Sequence, residues 1–288
     1  MAFLEYLKVI LIGIVEGITE WLPVSSTGHM ILVERLFPIE AMGEEFYGMF
    51  LYVIQFAAIL AVLICFFERL NPFSRKKSPD ERASTWRIWR NVLIGVIPAG
   101  VIGILLDDFI EETVVKSDFG CFVVAGALIL YGILFILIER LNRKRSVREE
   151  RTEDLSPKSA LLVGLFQCLS IIPGTSRSGS TILGGMSMGI SRTTAAEYSF
   201  FMAIPIMAGV SLLKVGKFAL RAIEGAAGYT CSANEIGLLL VGSLVSFLVS
   251  LFTIRFLMDF VRRHSFEVFG WYRIALGVLV ILLFGIIL

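Results

Sequence analysis

The stretch LPVSSTGH (22–29) interrupts an apolar region at about 3–36, and IPGTSRSGST (172–181) interrupts a second one at about 158–190. Proline, glycine and hydroxyl residues in these two stretches break what would otherwise be continuous apolar helices. Irregular backbone of this kind is tolerated at membrane depth only where protein buries it or where it lines a wet cavity. Each region therefore predicts a re-entrant helix–loop–helix, which enters and leaves by the same face of a membrane.

The composition indicates that the whole chain is a membrane protein. Of its 288 residues, 56% are hydrophobic and only 18% are charged, whereas about 25% of the residues in soluble chains are charged. The predicted fold is an all-α integral membrane protein, a single membrane domain (1–288) with six transmembrane helices and two re-entrant segments. A crossing needs about 20 apolar residues, and the six stretches that reach this length are about 46–67, 88–106, 119–139, 195–215, 236–258 and 267–288.

The charges between the predicted spans alternate in sign. The loops after the first and third spans are basic, the loop after the second is acidic, and the short loop before the last span is basic again. Because basic loops stay on the cytoplasmic side, we expect a plasma (inner) membrane protein with both termini outside. The residues concerned are Arg69, Arg75, Lys76, Lys77, Arg82, Arg87 and Arg90; then Asp107, Asp108, Glu111, Glu112 and Asp118; then Arg140, Arg143, Lys144, Arg145, Arg148, Arg151 and Lys158; and finally Arg262 and Arg263.

The two broken regions also resemble each other. PVSS (23–26) aligns with PGTS (173–176), and GIVEG (13–17) aligns with GLFQC (164–168) if one gap is allowed. Each broken region is followed by three spans, and because three is odd, the second half would lie upside down relative to the first. The pattern predicts an inverted repeat in which the two loop tips meet at mid-depth in one cavity. The predicted halves are 1–141 and 155–288, with a linker at 140–158.

Glu16 and Glu20 lie just before the first interruption. They are four residues apart, so on a helix they share one face. Two neighbouring carboxylates repel each other, and a hard divalent cation such as Mg²⁺ or Ca²⁺ relieves the repulsion because it prefers oxygen ligands. We therefore predict a metal site at these two residues. The alternative is a helix at the membrane interface whose glutamates reach into water.

Ser25, Ser26 and Thr27 follow Pro23 and are suited to begin a second half-helix. Backbone N–H groups at a helix N-terminus, together with flanking hydroxyls, form a cradle for an anion. His29 stands three residues after Ser26, and a hydroxyl with a neighbouring imidazole is the minimal pair of nucleophile and base. The alternative for His29 is an ordinary hydrogen-bonding residue near a helix start.

The second interruption has the same character and adds Arg177. Gly174, Thr175, Ser176 and Ser178 surround this arginine with backbone and hydroxyl groups that suit phosphate oxygens. An arginine in an apolar stretch needs an anionic partner, and its planar fork matches phosphate. The alternative is an internal salt bridge to a glutamate. The candidates for that bridge are Glu16, Glu20 and Glu197.

The segments EGITEWLPVSSTGHM (16–30) and PGTSRSGST (173–181) resemble the two signature segments of the bacterial undecaprenyl pyrophosphate phosphatase, or bacitracin-resistance, family. The resemblance implies hydrolysis of a polyprenyl pyrophosphate lipid in the bilayer, dependence on a divalent cation, and a site that opens outward. It places Ser26, His29 and Arg177 at positions regarded as catalytic. It places Glu16 and Glu20 at positions linked to metal or pyrophosphate binding. No nucleic-acid partner is expected, and a homo-oligomer is left open.

Two further interpretations accompany the phosphatase. Inverted repeats with broken helices are typical of secondary transporters, so a carrier or lipid flippase with a phosphate site is the main alternative. A carrier has no need for a serine and histidine pair beside paired carboxylates. A purely structural scaffold would leave Arg177 and Glu16 without a role. The sequence also leaves open whether Ser25, Ser26 or Ser176 is the nucleophile, and whether water attacks directly.

Overall fold

A computed structural model describes residues 2–110, 113, 114, 117, 119–143 and 151–287. Within these residues the chain is helical and has no β-strand. The acidic residues Glu111, Glu112 and Asp118 and the linker residues 144–150 lie outside the described residues. The helices are α1 (Ala2–Thr19), α2 (Ser26–Leu36), α3 (Glu44–Cys65), α4 (Phe67–Leu70), α5 (Pro79–Ile110), α6 (Gly120–Asn142), α7 (Pro157–Cys168), α8 (Arg177–Ser187), α9 (Arg192–Ile223), α10 (Ala233–Arg263) and α11 (Glu267–Ile287).

Six of these helices are long and apolar enough to cross a membrane, which confirms the six predicted spans. Several continue beyond the apolar stretch that predicted them, because a helix does not end where its sequence becomes polar. α9, for example, was expected at about 195–215 and runs from Arg192 to Ile223. The segments long enough to cross are Glu44–Cys65, Pro79–Leu106, Gly120–Asn142, Arg192–Ile223, Ala233–Arg263 and Glu267–Phe284.

The two interrupted regions each form a pair of helices separated by a turn. The first break separates α1 from α2, and the second, which includes a short 3-10 turn at Leu169–Ile171, separates α7 from α8. Their re-entrant course through a membrane stays a prediction. The two turns nevertheless lie together, because the Ser178 hydroxyl is 3.3 Å from the Glu20 carbonyl oxygen and 3.4 Å from that of Leu22.

The interrupted helices pack against long spans through glycines. α1 lies against α10 at Gly13, where an added Cβ would be 2.8 Å from the Gly242 carbonyl oxygen. α7 lies against α5 at Gly164, where an added Cβ would be only 2.1 Å from the Gly95 carbonyl oxygen. Each first half-helix thus approaches its neighbour so closely that only glycine fits.

The two helix starts favour an alignment of the broken regions that differs by one residue from the predicted one. The residue that caps α2 is Ser25 and the residue that caps α8 is Ser176, so Ser25 rather than Ser26 corresponds to Ser176. With that shift, the two cap serines and the two packing glycines, Gly13 and Gly164, have the same separation, and the alignment needs no gap. The inverted orientation of the two halves stays a prediction.

Buried aromatic side chains pack against both turns. Trp21 is fully buried, and its ring meets that of Phe200 edge to face at a centroid distance of 5.3 Å. The guanidinium carbon of Arg177 lies 5.9 Å from the centroid of the Trp21 ring. The start of α8 is thereby packed against Trp21, which lies in the first turn just after α1.

Candidate active site

The first loop turns into α2 through a strained serine. Ser25 has a φ of 73°, in the left-handed region that side chains rarely adopt. Its hydroxyl accepts a hydrogen bond from the Gly28 backbone N–H at 3.3 Å, which caps the helix. Ser26 therefore occupies the first helical position, at the positive end of α2.

The second loop repeats this arrangement. Ser176 has a φ of 71°, and its hydroxyl accepts from the Gly179 backbone N–H at 3.1 Å. Arg177 therefore occupies the first position of α8, as Ser26 does in α2. Two helix N-termini converge on one place, and each favours negative charge there.

Glu20 joins the two loops. The Ser26 hydroxyl donates to Glu20 Oε2 at 2.8 Å. Arg177 donates from Nη2 to Glu20 Oε1 at 3.0 Å, and from Nη1 to the Ser199 carbonyl oxygen at 2.8 Å. The internal salt bridge that was the alternative for Arg177 is therefore present. Each carboxylate oxygen has its own partner, so the carboxylate holds both the serine and the arginine in place.

Glu16 lies one helical turn earlier and is almost fully buried. Its Oε1 has no hydrogen-bond partner among the described residues, and the residue lines the main cavity. Within the described part of the chain, no group of three or more histidine, cysteine or acidic residues is suited to hold a metal ion. Glu16, Glu20 and the Ser26 hydroxyl still fit a hard divalent cation that takes its remaining oxygens from pyrophosphate and water.

The ring nitrogens of His29 bond to groups other than the Ser26 hydroxyl, in contrast to the predicted pair of nucleophile and base. Its Nδ1 lies 2.7 Å from the Ser25 carbonyl oxygen, and its Nε2 lies 2.7 Å from the Tyr272 hydroxyl. A carbonyl only accepts, so Nδ1 carries a proton and, in the neutral ring, Nε2 accepts from the tyrosine. The backbone turn at Ser25 directs the imidazole toward α11, while the Ser26 hydroxyl is directed toward Glu20.

The remaining predicted residues divide between the cavity and the loops. Thr27 lines the cavity. The Thr175 hydroxyl donates within its loop, to the carbonyl oxygens of Ile172 at 2.7 Å and Leu169 at 3.0 Å. Gly174 has a φ of 93°, and a Cβ at that position would be 2.6 Å from the Val124 carbonyl oxygen, so the loop needs glycine there.

Arg273 is the residue that sequence reasoning missed. It projects from α11, is fully buried, and donates to three loop carbonyls: Pro23 at 3.1 Å, Gly174 at 2.8 Å and Thr175 at 3.0 Å. It thus binds the backbones of both loops at once. The available signal was a lone arginine inside the last apolar span, where a charge needs a specific partner.

The site opens into a cavity of about 1040 Å³. Glu16, Ser26 and Thr27 line it together with apolar side chains such as Met30 and Met49. Charged side chains of both signs complete the lining, and they are Glu34, Arg35, Glu45, Lys214 and Lys217. A cavity with convergent polar groups beside apolar walls is a common form of small-molecule site. Here the polar groups suit a phosphorylated headgroup and the apolar walls suit a lipid tail.

Comparison with known proteins identifies close relatives along almost the whole chain. The family described as "Bacitracin resistance protein BacA" matches residues 9–279. An undecaprenyl-diphosphatase of Latilactobacillus sakei subsp. sakei (strain 23K) is 50% identical over 98% of this chain and 98% of its own length. One from Enterococcus faecalis is 46% identical over 99% of both chains. Undecaprenyl-diphosphatase 1 of Clostridioides difficile (strain 630) is 48% identical over 98% of this chain and 97% of its own.

Proposed function

This chain belongs to the bacitracin resistance protein BacA family, and we infer that it is an integral membrane undecaprenyl-diphosphatase with its catalytic centre at Glu20, Ser26 and Arg177. It hydrolyses undecaprenyl diphosphate to undecaprenyl phosphate and inorganic phosphate, and so recycles the lipid that carries cell-wall sugars. The observation that carries the assignment of the centre is the hydrogen bond from the Ser26 hydroxyl to a carboxylate that Arg177 holds in place.

In the first chemical step, Ser26 Oγ attacks the terminal phosphorus of the diphosphate. A bond forms between Oγ and phosphorus, and the hydroxyl proton passes to Glu20 Oε2, which already accepts that hydrogen bond at 2.8 Å. The bond from phosphorus to the bridging oxygen breaks, and undecaprenyl phosphate leaves with its electron pair. Water then attacks the phosphoserine and gives a proton to a carboxylate or imidazole base; the bond between phosphorus and Ser26 Oγ breaks, Oγ takes back the proton that Glu20 holds, and inorganic phosphate leaves. Direct attack by water on the diphosphate is the main variant.

The positive groups of the site stabilise the charge on the transferring phosphoryl group. Its three equatorial oxygens carry most of that charge, and catalysis consists mainly of positioning and electrostatic stabilisation. The Arg177 Nε atom is buried and has no hydrogen-bond partner among the described residues, so its N–H is a donor for a phosphate oxygen. The N-termini of α2 and α8 add their backbone N–H groups from two sides.

His29 is proposed as the acid or base of the second step. In this role its Nε2 exchanges the Tyr272 hydroxyl for water or for the leaving oxygen when the lipid enters, since catalytic hydrogen bonds often form only in the substrate complex. Its Nδ1–H stays on the Ser25 carbonyl and fixes the orientation of the ring.

Divalent-cation dependence is also proposed. Glu16 and Glu20 would hold Mg²⁺ or Ca²⁺ together with the pyrophosphate oxygens, and the cation would neutralise part of the charge on those oxygens. The buried Glu16 Oε1, which has no hydrogen-bond partner among the described residues and lies one helical turn before Glu20, supports this proposal.

For the placement in the cell we propose the plasma membrane, with both termini and the cavity mouth on the outer side. The alternation of basic and acidic loops supports it. The two capped helix starts, Ser25–Ser26 and Ser176–Arg177, support an inverted repeat of two halves that share one site. Homo-oligomerisation stays a prediction.

The decisive experiment is a phosphate-release assay with purified protein and undecaprenyl diphosphate in detergent, where no gradient exists. We expect turnover by the wild type and its loss in Ser26→Ala, with Ser74→Ala, a loop serine outside the site, as the control. Acid quenching during turnover of a substrate with a labelled terminal phosphate should trap phosphoserine at Ser26. Near-normal turnover of the Ser26→Ala variant would exclude the covalent route, and absence of gradient-free phosphate release would favour a carrier.

A further inference from the structure

A second cavity lies at the end of the spans where α6 ends, whereas the first cavity lies where α6 begins. It has a volume of about 470 Å³ and forms where the ends of α6 and α10 meet the turn between α8 and α9. This end of the molecule carries the basic loops, so it is the side expected to face the cytoplasm. The lining includes Asn142, Arg143, Met186, Ser191, Arg192 and Arg262.

Carboxylates fix two of the three arginines of this inner pocket, and all three arginines have further N–H donors. Arg192 forms an ion pair with the fully buried Glu139, and Arg143 donates from Nη2 to Glu267 Oε1 at 2.8 Å. Among the described residues, the ion-pair partner of Arg262 is Asp259, at a long contact of 3.7 Å. A guanidinium carries five N–H donors in a fixed fork, so one that is fixed by a carboxylate can still bind a second anion.

The start of α9 adds further polar groups that suit a phosphate ester. This helix of 32 residues begins in the pocket, with the Ser191 hydroxyl capping the Thr194 N–H at 3.1 Å, so its positive end faces the arginines. Asn142 donates from Nδ2 to the Met186 carbonyl oxygen at 2.6 Å. Its Oδ1 is buried and has no partner among the described residues, which leaves an acceptor for a hydroxyl of a bound headgroup.

We propose that the inner pocket binds the phosphodiester headgroup of an anionic phospholipid of the cytoplasmic leaflet. Basic pockets between transmembrane helices on that side bind anionic headgroups, and arginines at the ends of spans lie at headgroup level. Ile190 and Val261 give the pocket apolar walls. Those walls favour a lipid over free phosphate, which shares the charge but has no apolar part.

The test uses the purified full-length chain in a neutral detergent. Retention of phosphatidylglycerol is measured by native mass spectrometry against phosphatidylcholine with the same acyl chains, and inorganic phosphate is added in a separate arm. The test variant is Arg143→Gln/Arg262→Gln, since both side chains are more than half exposed at 59% and 63% and neither contacts the hydrolytic site. The matched control is Arg75→Gln/Arg82→Gln, which removes two exposed charges from the same face outside the pocket.

We expect the wild type and the control to retain phosphatidylglycerol selectively. In the test variant the apparent affinity should fall about a hundredfold, because two arginines are removed and each charge-assisted hydrogen bond to phosphate accounts for roughly a decade of affinity. Phosphate release from undecaprenyl diphosphate in detergent should be unchanged, which separates this pocket from the active site. Equal retention by the test variant, or an equal loss in the control, would overturn the proposal. If inorganic phosphate displaced the lipid at comparable concentration, the ligand of the pocket would be free phosphate and not a phospholipid.

Discussion

At the scale of single residues, the site is organised by how Glu20 divides its two oxygens. One accepts the Ser26 hydroxyl and the other accepts the Arg177 guanidinium. The arginine holds the carboxylate in place, and a carboxylate fixed within hydrogen-bond distance of the serine hydroxyl is positioned to take its proton. Glu20, the proposed base, is thereby bonded directly to Arg177, which is proposed to stabilise the phosphoryl charge.

Glu20→Gln should therefore abolish most of the activity while keeping the size of the side chain. An amide cannot take the serine proton, so we expect phosphate release to fall by about 10²–10⁴-fold. The unfolding temperature should also drop, because breaking a buried ion pair leaves Arg177 uncompensated at a cost of about 3–5 kcal/mol. Glu224→Gln, at an exposed carboxylate, is the control for both measurements. Normal turnover of the Glu20→Gln variant would remove Glu20 as the base.

Glu16→Gln tests the proposed cation site. In the second half, Gln167 occupies the position that corresponds to Glu16 and is equally buried, so an amide is compatible with this backbone setting. If Glu16 is a ligand, the variant should fold normally and need roughly tenfold more Mg²⁺ or Ca²⁺ for half-maximal phosphate release. A cation titration in chelator-treated samples measures this, and an unchanged midpoint would contradict the ligand role.

Sequence reasoning found the members of the site but not how they pair. Ser26 and His29 both lie on α2, as their spacing predicts, yet the Ser26 hydroxyl bonds back across the turn at Ser25 to Glu20, and the imidazole bonds the Ser25 carbonyl and Tyr272 instead. No local rule predicts a hydrogen bond across such a break. Arg273 was missed for a different reason, because its partners are backbone carbonyls, which leave no pattern in the sequence.

At the scale of helices, hydropathy predicted the six spans because the membrane interior requires uninterrupted apolar length. It could not predict where the helices end, since backbone hydrogen bonding continues into water. α9 continues past its apolar stretch through Lys217, which lines the cavity of about 1040 Å³ together with Lys214. The cavity wall therefore includes a polar part of α9 that lies beyond the apolar stretch predicted from hydropathy.

The contact between α5 and α7 gives a prediction at this scale. Gly164→Ala should destabilise the protein, because its Cβ would be 2.1 Å from the Gly95 carbonyl oxygen and the helices would have to separate. Gly100→Ala is the matched control on α5, since nothing lies within 4 Å of its added Cβ. Thermal unfolding in detergent should show a clear drop for the first variant and none for the second. Equal stability of the two variants would show that the contact is not close.

Arg273→Met tests whether α11 positions the loops. The apolar side chain has a similar length but leaves three loop carbonyls without their donor, and each buried unsatisfied group costs about 1–3 kcal/mol. We expect a lower unfolding temperature and lower kcat, with partial recovery in Arg273→Lys. Full activity of the methionine variant would show that the two loops keep their conformation without Arg273.

At the scale of the whole molecule, orientation follows from charge and is open to a direct test. Cys231 is exposed in the segment between α9 and α10, which we expect outside. With the other cysteines replaced by alanine, it should react with a membrane-impermeant maleimide in intact cells. Lys76→Cys in the first basic loop, in a Cys231→Ser background, should react only after the membrane is permeabilised. The reverse pattern would invert the proposed topology.

The bonds of Arg273 to both loops also bear on how the molecule moves. Transport by alternating access requires one half to slide or rock past the other, but here a buried cation pins the tips of both halves to α11. Sliding would leave that charge uncompensated in an apolar interior, which opposes the motion energetically. We therefore predict that the two loops keep their positions during turnover and that the lipid, not the protein, moves at the site.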